Sequence, residues 1–200
     1  MGAWLGWAVR PAVAADAAAI GTLHVRAWRH SYRGIVPDEI LAGLDPVHSA
    51  GRWSGHLSTG RLGVFVASSV VDVGVGVAPG AGPDWPGELP LGAFCAVGPV
   101  REEPRAGRPG VRTGELYALY ADPLALGRGA GPAVHDAGVA HLGALGYRQA
   151  VLWVLAANPR ARAFYARRGW RLDGLPEQVH HDGVPLPAVR YWCVPPPAAD

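Results

Sequence analysis

Between Glu115 and Gly131 the chain reads E-L-Y-A-L-Y-A-D-P-L-A-L-G-R-G-A-G, an apolar stretch that passes through Asp122-Pro123 into a glycine-rich turn. Where such a turn opens a helix, several backbone N–H groups converge on one point with the positive end of the helix dipole behind them. That arrangement suits a diphosphate. Gly127, Gly129 and Gly131 remove the side chains that would hold an anion at a distance. Taken alone, the same glycines are equally compatible with a turn that binds nothing. A second group of residues adds to them: N-P-R-A-R-A-F-Y-A-R-R-G-W, from Asn158 to Trp170. Asn is a favoured helix cap and Pro is favoured at the first helical position. Asn158-Pro159 therefore predicts a helix start, with Phe164 and Tyr165 in the second turn and Gly169 at the end.

Strands and helices in a definite order must hold these residues. Ala150 to Leu155 (A-V-L-W-V-L) is short, apolar and partly β-branched, which predicts a buried strand. Strand, glycine loop, helix, strand and helix then make a βαβα unit. The helix after the loop carries Ala133, Val134, Ala137, Ala140 and Leu145 and stops at Gly146. Earlier in the chain, Ala8 to Pro11 predicts a first strand, and Asp16 is placed to cap a helix with Ile20, Leu23, Ala27 and Trp28 on one face. Ser31 to Pro37 breaks that helix. Asp38 to Leu44 predicts a short one, and Val47 to Leu57 a third with Trp53 facing inward. Gly63 to Ala67 and Leu91 to Val97 predict strands. Ser68 to Pro90 between them reads as a long hairpin connection, with part of Val70 to Val77 extending a strand. Arg101 to Thr113 reads as a charged turn, and Trp170 to Leu172 and Val189 to Val194 as the last strands. Residues 1–194 form one domain, and the Pro-rich 195–200 a disordered tail.

These residues resemble the GNAT N-acetyltransferases, which move an acetyl group from acetyl-CoA to an amine. The family's diphosphate loop reads Arg or Gln, two residues, Gly, one residue, then Gly or Ala. The window here is Leu126-Gly127-Arg128-Gly129-Ala130-Gly131, with Leu126 departing at the first position. The family's Asn followed seven residues later by Tyr is matched by Asn158 and Tyr165. V-R-P at Val9, S-Y-R-G-I-V-P at Ser31 and V-R-Y at Val189 extend the resemblance over nearly the whole chain. It implies an α/β fold with a mixed, mostly antiparallel central sheet and helices on both faces.

The resemblance also implies a chemistry. The cofactor's pantetheine arm would pair with the backbone of Leu119, Tyr120 and Ala121, where an N–H can donate to the thioester oxygen as charge develops. The loop would hold the diphosphate, and Asn158 would serve both as helix cap and as a partner of the pantetheine. Tyr165 would protonate the departing coenzyme A thiolate; the competing reading is a core aromatic. Glu115 matches the place of a base glutamate in some members, or else it is a solvated carboxylate at a strand end. Trp28, Tyr32 and Arg33, at the bend after the first helix, are candidate acceptor contacts. One of Arg160, Arg162, Arg167 and Arg168 can meet the cofactor's 3′-phosphate, or the four form a solvated face. The implied reaction is direct acetyl transfer to a small-molecule amine or a peptide N-terminus in a ternary complex. Family members are often dimers, so a homodimer belongs to the same expectation. The alternative is a non-catalytic acyl-CoA-binding or regulatory module of the same fold.

Composition narrows the field further. With 200 residues, 50% of them hydrophobic, the chain can bury a sizeable core. All 18 cationic side chains are Arg and the net charge is only +2, which gives no basic arm or patch for nucleic acid. The loop lacks the Lys-Ser/Thr of a nucleotide-binding P-loop and does not match the dinucleotide fingerprint. No stretch approaches the roughly 18 uninterrupted apolar residues of a membrane span. The N-terminal M-G-A-W-L-G-W-A-V-R lacks the basic-then-apolar layout of a signal peptide. Cys95 and Cys193 lie in apolar runs and read as buried free thiols of a cytoplasmic protein. His180-His181-Asp182 are adjacent residues without a further ligand at suitable spacing, so no metal is expected.

Overall fold

The computed structural model describes residues 4–72, 77–79, 91–101, 110–181 and 184–197. The strands are β1 (Trp4–Pro11), β2 (Gly63–Asp72), β3 (Val77–Pro79), β4 (Ala93–Pro99), β5 (Thr113–Ala121), β6 (Gln149–Leu155), β7 (Arg171–His181) and β8 (Val184–Cys193). The α-helices are α1 (Ala17–Ser31), α2 (Asp38–Gly43), α3 (Pro46–Thr59), α4 (Ala130–Ala144) and α5 (Pro159–Arg167). The sheet runs β1-β2-β4-β5-β6-β8-β7, with the short β3 on β2. Among the described pairs only β5 and β6 are parallel. That parallel pair with α4 between its strands is the βαβ unit that the glycine loop opens. The fold is thus the mixed, mostly antiparallel sheet with helices on both faces that the sequence predicts.

Alternation along β4 shows how the two faces are filled. Its seven residues are apolar or small and nearly all buried, as a strand covered on both sides requires. Ala93, Cys95 and Val97 point to the layer of α4 and α5, where they meet Val134, Leu142 and Tyr165. Phe94 and Ala96 point to α1 and α3 and meet Ile20, Leu23 and Trp53. Both cysteines are buried and free. Among the described residues no helix is long and apolar enough to cross a membrane.

Several elements depart from the sequence prediction for identifiable reasons. The final hairpin is longer than predicted, because its glycine and prolines sit where they break nothing. Gly174 (φ 83°) falls in the register shift between Asp173 and Glu177. Pro185 and Pro187 lie on the part of β8 beyond its pairing with β6, so the missing N–H groups leave no ladder bond unmade. The Asp16 side chain does not cap α1. It accepts two bonds from the Arg10 guanidinium (2.7 and 2.8 Å) and one from the Val13 N–H (2.8 Å), and the Arg10 bond above all lowers its pKa. β2 continues to Asp72 and pairs with β3, while 73–76, 80–90 and most of the charged turn, 102–109, lie outside the described residues. The chain does not leave the fold at Pro195. That residue is buried, and a Cβ on Gly143 would come within 1.7 Å of the Pro196 carbonyl oxygen.

One core contact predicts a pH effect. His135 of α4 is 3% exposed, and its Nε2 accepts the Trp170 indole N–H at 2.8 Å. The proton of the neutral ring therefore sits on Nδ1, 2.9 Å from the Asp136 carboxylate. The Arg168 guanidinium, with Nε 3.0 Å from the same nitrogen, places a positive charge there that also opposes a second ring proton. Burial first of all holds the His135 pKa down, and a second ring proton would face the Trp170 N–H. An unfolded chain takes up this proton near pH 6.5 while the folded one does not. The site's contribution to stability is complete above that pH and falls as pH drops through it. Melting temperatures between pH 5 and 8 should show a steeper acid-side decline in the parent than in His135→Gln. Parallel curves would remove His135 as the cause.

Candidate active site

The site begins where the sheet splits. β4 pairs Val97 with Leu116 but Ala96 with Ala118, so Tyr117 is an extra residue in β5, a β-bulge. Pairing of β5 with β6 ends at Leu116 and Leu152. Beyond that point β6 stays with β8, and residues 117–121 of β5 turn an unpaired edge toward the gap. Such an edge offers N–H and C=O groups to an extended ligand.

Each wall of the gap has a local cause. Asp122 ends β5. Its carboxylate is fully buried, accepts the Leu124 N–H at 2.9 Å and pairs with Arg26 of α1 (Nε to Oδ2, 2.9 Å). A 3-10 turn, Pro123–Ala125, leads to Gly127 (φ 77°) and Gly129 (φ 90°), both in the left-handed region that favours glycine, and α4 starts at Ala130. On the opposite wall the Asn158 side chain accepts the Ala161 N–H (3.0 Å) and caps α5, with Pro159 at its first position. One turn further, Tyr165 is 7% exposed and packs against Trp170 and Phe164.

Two cavities meet on these walls. The larger, about 530 Å³, runs from Leu119–Ala121 over Leu126, Gly127, Gly129 and Gly131 to Asn158 and Tyr165, with Arg160, Arg167 and His30 at its edge. The smaller, about 100 Å³, lies among Tyr32, Tyr117, Tyr120, Trp153 and Tyr165. Leu119, Tyr120, Asn158, Ala161 and Tyr165 line both. Tyr165 thus stands where the two spaces adjoin. Burial above all pushes its phenol well above the ordinary tyrosine range, and Cys95 and Tyr120 add to the effect. The group keeps its proton at any physiological pH. Burial also raises Tyr32 and Tyr120.

The predicted site residues divide sharply. Leu119, Tyr120, Ala121, Leu126, Gly127, Gly129, Gly131, Asn158, Tyr165 and Tyr32 come together around the cavities. Ala130 is buried in the core beneath the loop, and Arg128 is exposed beside it. Trp28 lies under the small cavity, edge-on to Tyr32 at 4.6 Å, and Arg33 is exposed on the turn outside both cavities. Glu115 is neither a solvated strand end nor part of a cavity wall. It is 2% exposed and accepts the Arg101 N–H (3.0 Å) and guanidinium (Nε, 3.0 Å), one residue before the first cavity position, Leu116. Of the four arginines on α5 and its end, Arg160 and Arg167 face the large cavity. Arg162 donates to the Ala156 carbonyl and Arg168 pairs with Asp136. His30 and Ser31 at the end of α1, Tyr117 at the bulge and Trp153 on β6 also line the site, though none of them is a predicted site residue. His180 and His181 end β7, and Asp182 lies outside the described residues.

Residues 90–170, which carry β4, the split, the glycine loop and α5, match the acetyltransferase (GNAT) family. In that segment the chain resembles the GNAT superfamily. The chain is 29% identical over 182 residues to the uncharacterized N-acetyltransferase YuaI of Bacillus subtilis, covering 91% of this chain and 87% of that protein. It is 41% identical over 88 residues to the mycothiol acetyltransferase of Geodermatophilus obscurus, covering 43% of this chain and 27% of that protein. Among solved structures it resembles the PaiA N-acetyltransferase of Thermoplasma acidophilum in complex with coenzyme A. There the TM-score is 0.65 at 13% identity, over 93% of this chain and 98% of that one, which is a likeness of fold.

Proposed function

We propose that this protein transfers an acetyl group from acetyl-CoA to a primary amine by direct attack in a ternary complex. The observation that carries the reading is the position of Tyr165 on the wall shared by the two cavities. The residues fit the donor. The free edge at Leu119–Ala121 would pair with the pantetheine, Gly127 and Gly129 would approach the diphosphate, and Arg160 and Arg167 would meet phosphate charge at the rim. The amine would enter through the small cavity beside Tyr32, Tyr120 and Trp153.

In the proposed step the amine nitrogen attacks the thioester carbonyl carbon, a C–N bond forms and the carbonyl oxygen takes the charge. A β5 backbone N–H donates to that oxygen. As its electrons return, the C–S bond breaks and the sulfur takes the Tyr165 proton, while the proton given up by the nitrogen replaces it on the Tyr165 oxygen. Because the Tyr165 phenol is held so strongly protonated, a phenolate does not persist: the group passes one proton on as it regains another.

No carboxylate is among the described residues lining either cavity. In this reading the amine arrives already neutral and Glu115 holds Arg101. The alkaline rise of kcat/KM should move with the acceptor's own pKa when amines of different basicity are compared, and Glu115→Gln should leave that rise in place. A rise fixed at one pH for every amine, and lost in Glu115→Gln, would restore the carboxylate as base. The missing carboxylate is also what favours the rival reading, an acyl-CoA-binding module without turnover. Thermal unfolding with acetyl-CoA, against ATP and NAD as controls, followed by thiol release across a panel of amines, separates the readings. A selective rise in melting temperature with thiol release supports the transferase, and a rise without release the binding module. No rise at millimolar acetyl-CoA overturns both.

A further inference from the structure

Trp7 belongs to the edge strand β1, yet its indole Nε1–H donates to the Arg128 carbonyl in the glycine loop at 2.7 Å, 121 residues away. The ring reaches the loop by lying across Gly92, where any Cβ would come within 2.2 Å of it. Gly92 itself ties the strand ends below the loop: its N–H donates to Ala67 (2.8 Å), and its carbonyl accepts the Asp122 N–H (2.9 Å). At its other end the ring reaches to 3.9 Å from where a Gly129 Cβ would stand.

The consequence lies in one peptide plane. In a trans peptide the C=O of Arg128 and the N–H of Gly129 point in opposite directions. With the carbonyl held by Trp7, the Gly129 N–H is turned to the other side of the loop, and Gly129 lines the large cavity. Glycines at 127 and 129 leave this segment free to rotate, so the plane needs an outside anchor. We infer that Trp7 is a positioning residue for the acyl donor's diphosphate, its indole N–H fixing the Arg128–Gly129 peptide so that the Gly129 N–H faces the phosphate oxygens. The inference rests on the coenzyme A reading of the large cavity.

Trp7→Phe removes the indole donor together with the far part of the ring over Gly92, so the melting of the variant is read alongside its affinity. Coenzyme A affinity measured by calorimetry should fall about fivefold to tenfold, as for one lost hydrogen bond. Phosphorus NMR of the bound coenzyme should show shifted diphosphate resonances and an unmoved 3′-phosphate resonance, while the unliganded protein still melts cooperatively. An unchanged affinity overturns the assignment. So does an affinity loss with unmoved diphosphate resonances, which is what a merely structural role for Trp7 produces. A parent protein that fails to bind coenzyme A overturns the cofactor reading first, and this inference with it.

Discussion

Tyr165→Phe should lower kcat by about 100-fold or more, the usual worth of a positioned acid, with acetyl-CoA affinity nearly unchanged. The substitution removes one hydroxyl and leaves a ring of the same shape. That ring keeps its edge-on contacts to Phe164 (5.3 Å between centroids) and Trp170 (6.0 Å), so the core between α5 and the sheet stays filled. Without the O–H the thiolate must leave unprotonated beside a buried wall, and that penalty falls in the transition state, where it appears in kcat. Stopped thiol-release assays with saturating amine, alongside calorimetric acetyl-CoA binding, read the two quantities separately. If kcat is unchanged, Tyr165 has no part in the chemistry and its burial is only packing. If kcat and affinity fall together, the ring rather than the hydroxyl is at issue.

What could be read along the chain was local, and what could not was brought in from a distance. The glycine loop, the Asn158 cap and Tyr165 each depend on neighbours within a turn or two, and the structure gathers them on one cavity. Glu115 is different. Its surroundings are decided by Arg101, fourteen residues earlier, and nothing in the spacing says that the two close on each other. Tyr117 became a cavity residue only because β5 carries one more residue than β4 across the bulge. Trp7 was invisible for the same reason, since its partner is a carbonyl contributed by the glycine loop, far along the chain. The last hairpin was hidden by its own Gly174, Pro185 and Pro187, which argue against strand unless the pairing partner of each side is known.

The Arg26–Asp122 pair gives a prediction in which the two partners are not equivalent. Asp122 is fully buried between the end of β5 and the glycine loop, whereas the Arg26 side chain is 39% exposed. Asp122→Asn keeps an acceptor for the Leu124 N–H and leaves a guanidinium that can turn to water, so it should cost only about 1–2 kcal/mol. Arg26→Met keeps the apolar stem but leaves a carboxylate in the core without its cation. Removing one partner of a buried pair costs roughly 3–5 kcal/mol, and the low end applies here because the Leu124 N–H remains. For a domain of this size that lowers the melting temperature by roughly 6–12 °C, well beyond the effect of Asp122→Asn. The pair also joins α1 to the entrance of the loop, so Arg26→Met should weaken acetyl-CoA binding more than Asp122→Asn does. Equal losses in the two variants would show that the carboxylate is not truly sheltered, and the reverse order would mean that Asp122 acts on the loop through its cap rather than through Arg26.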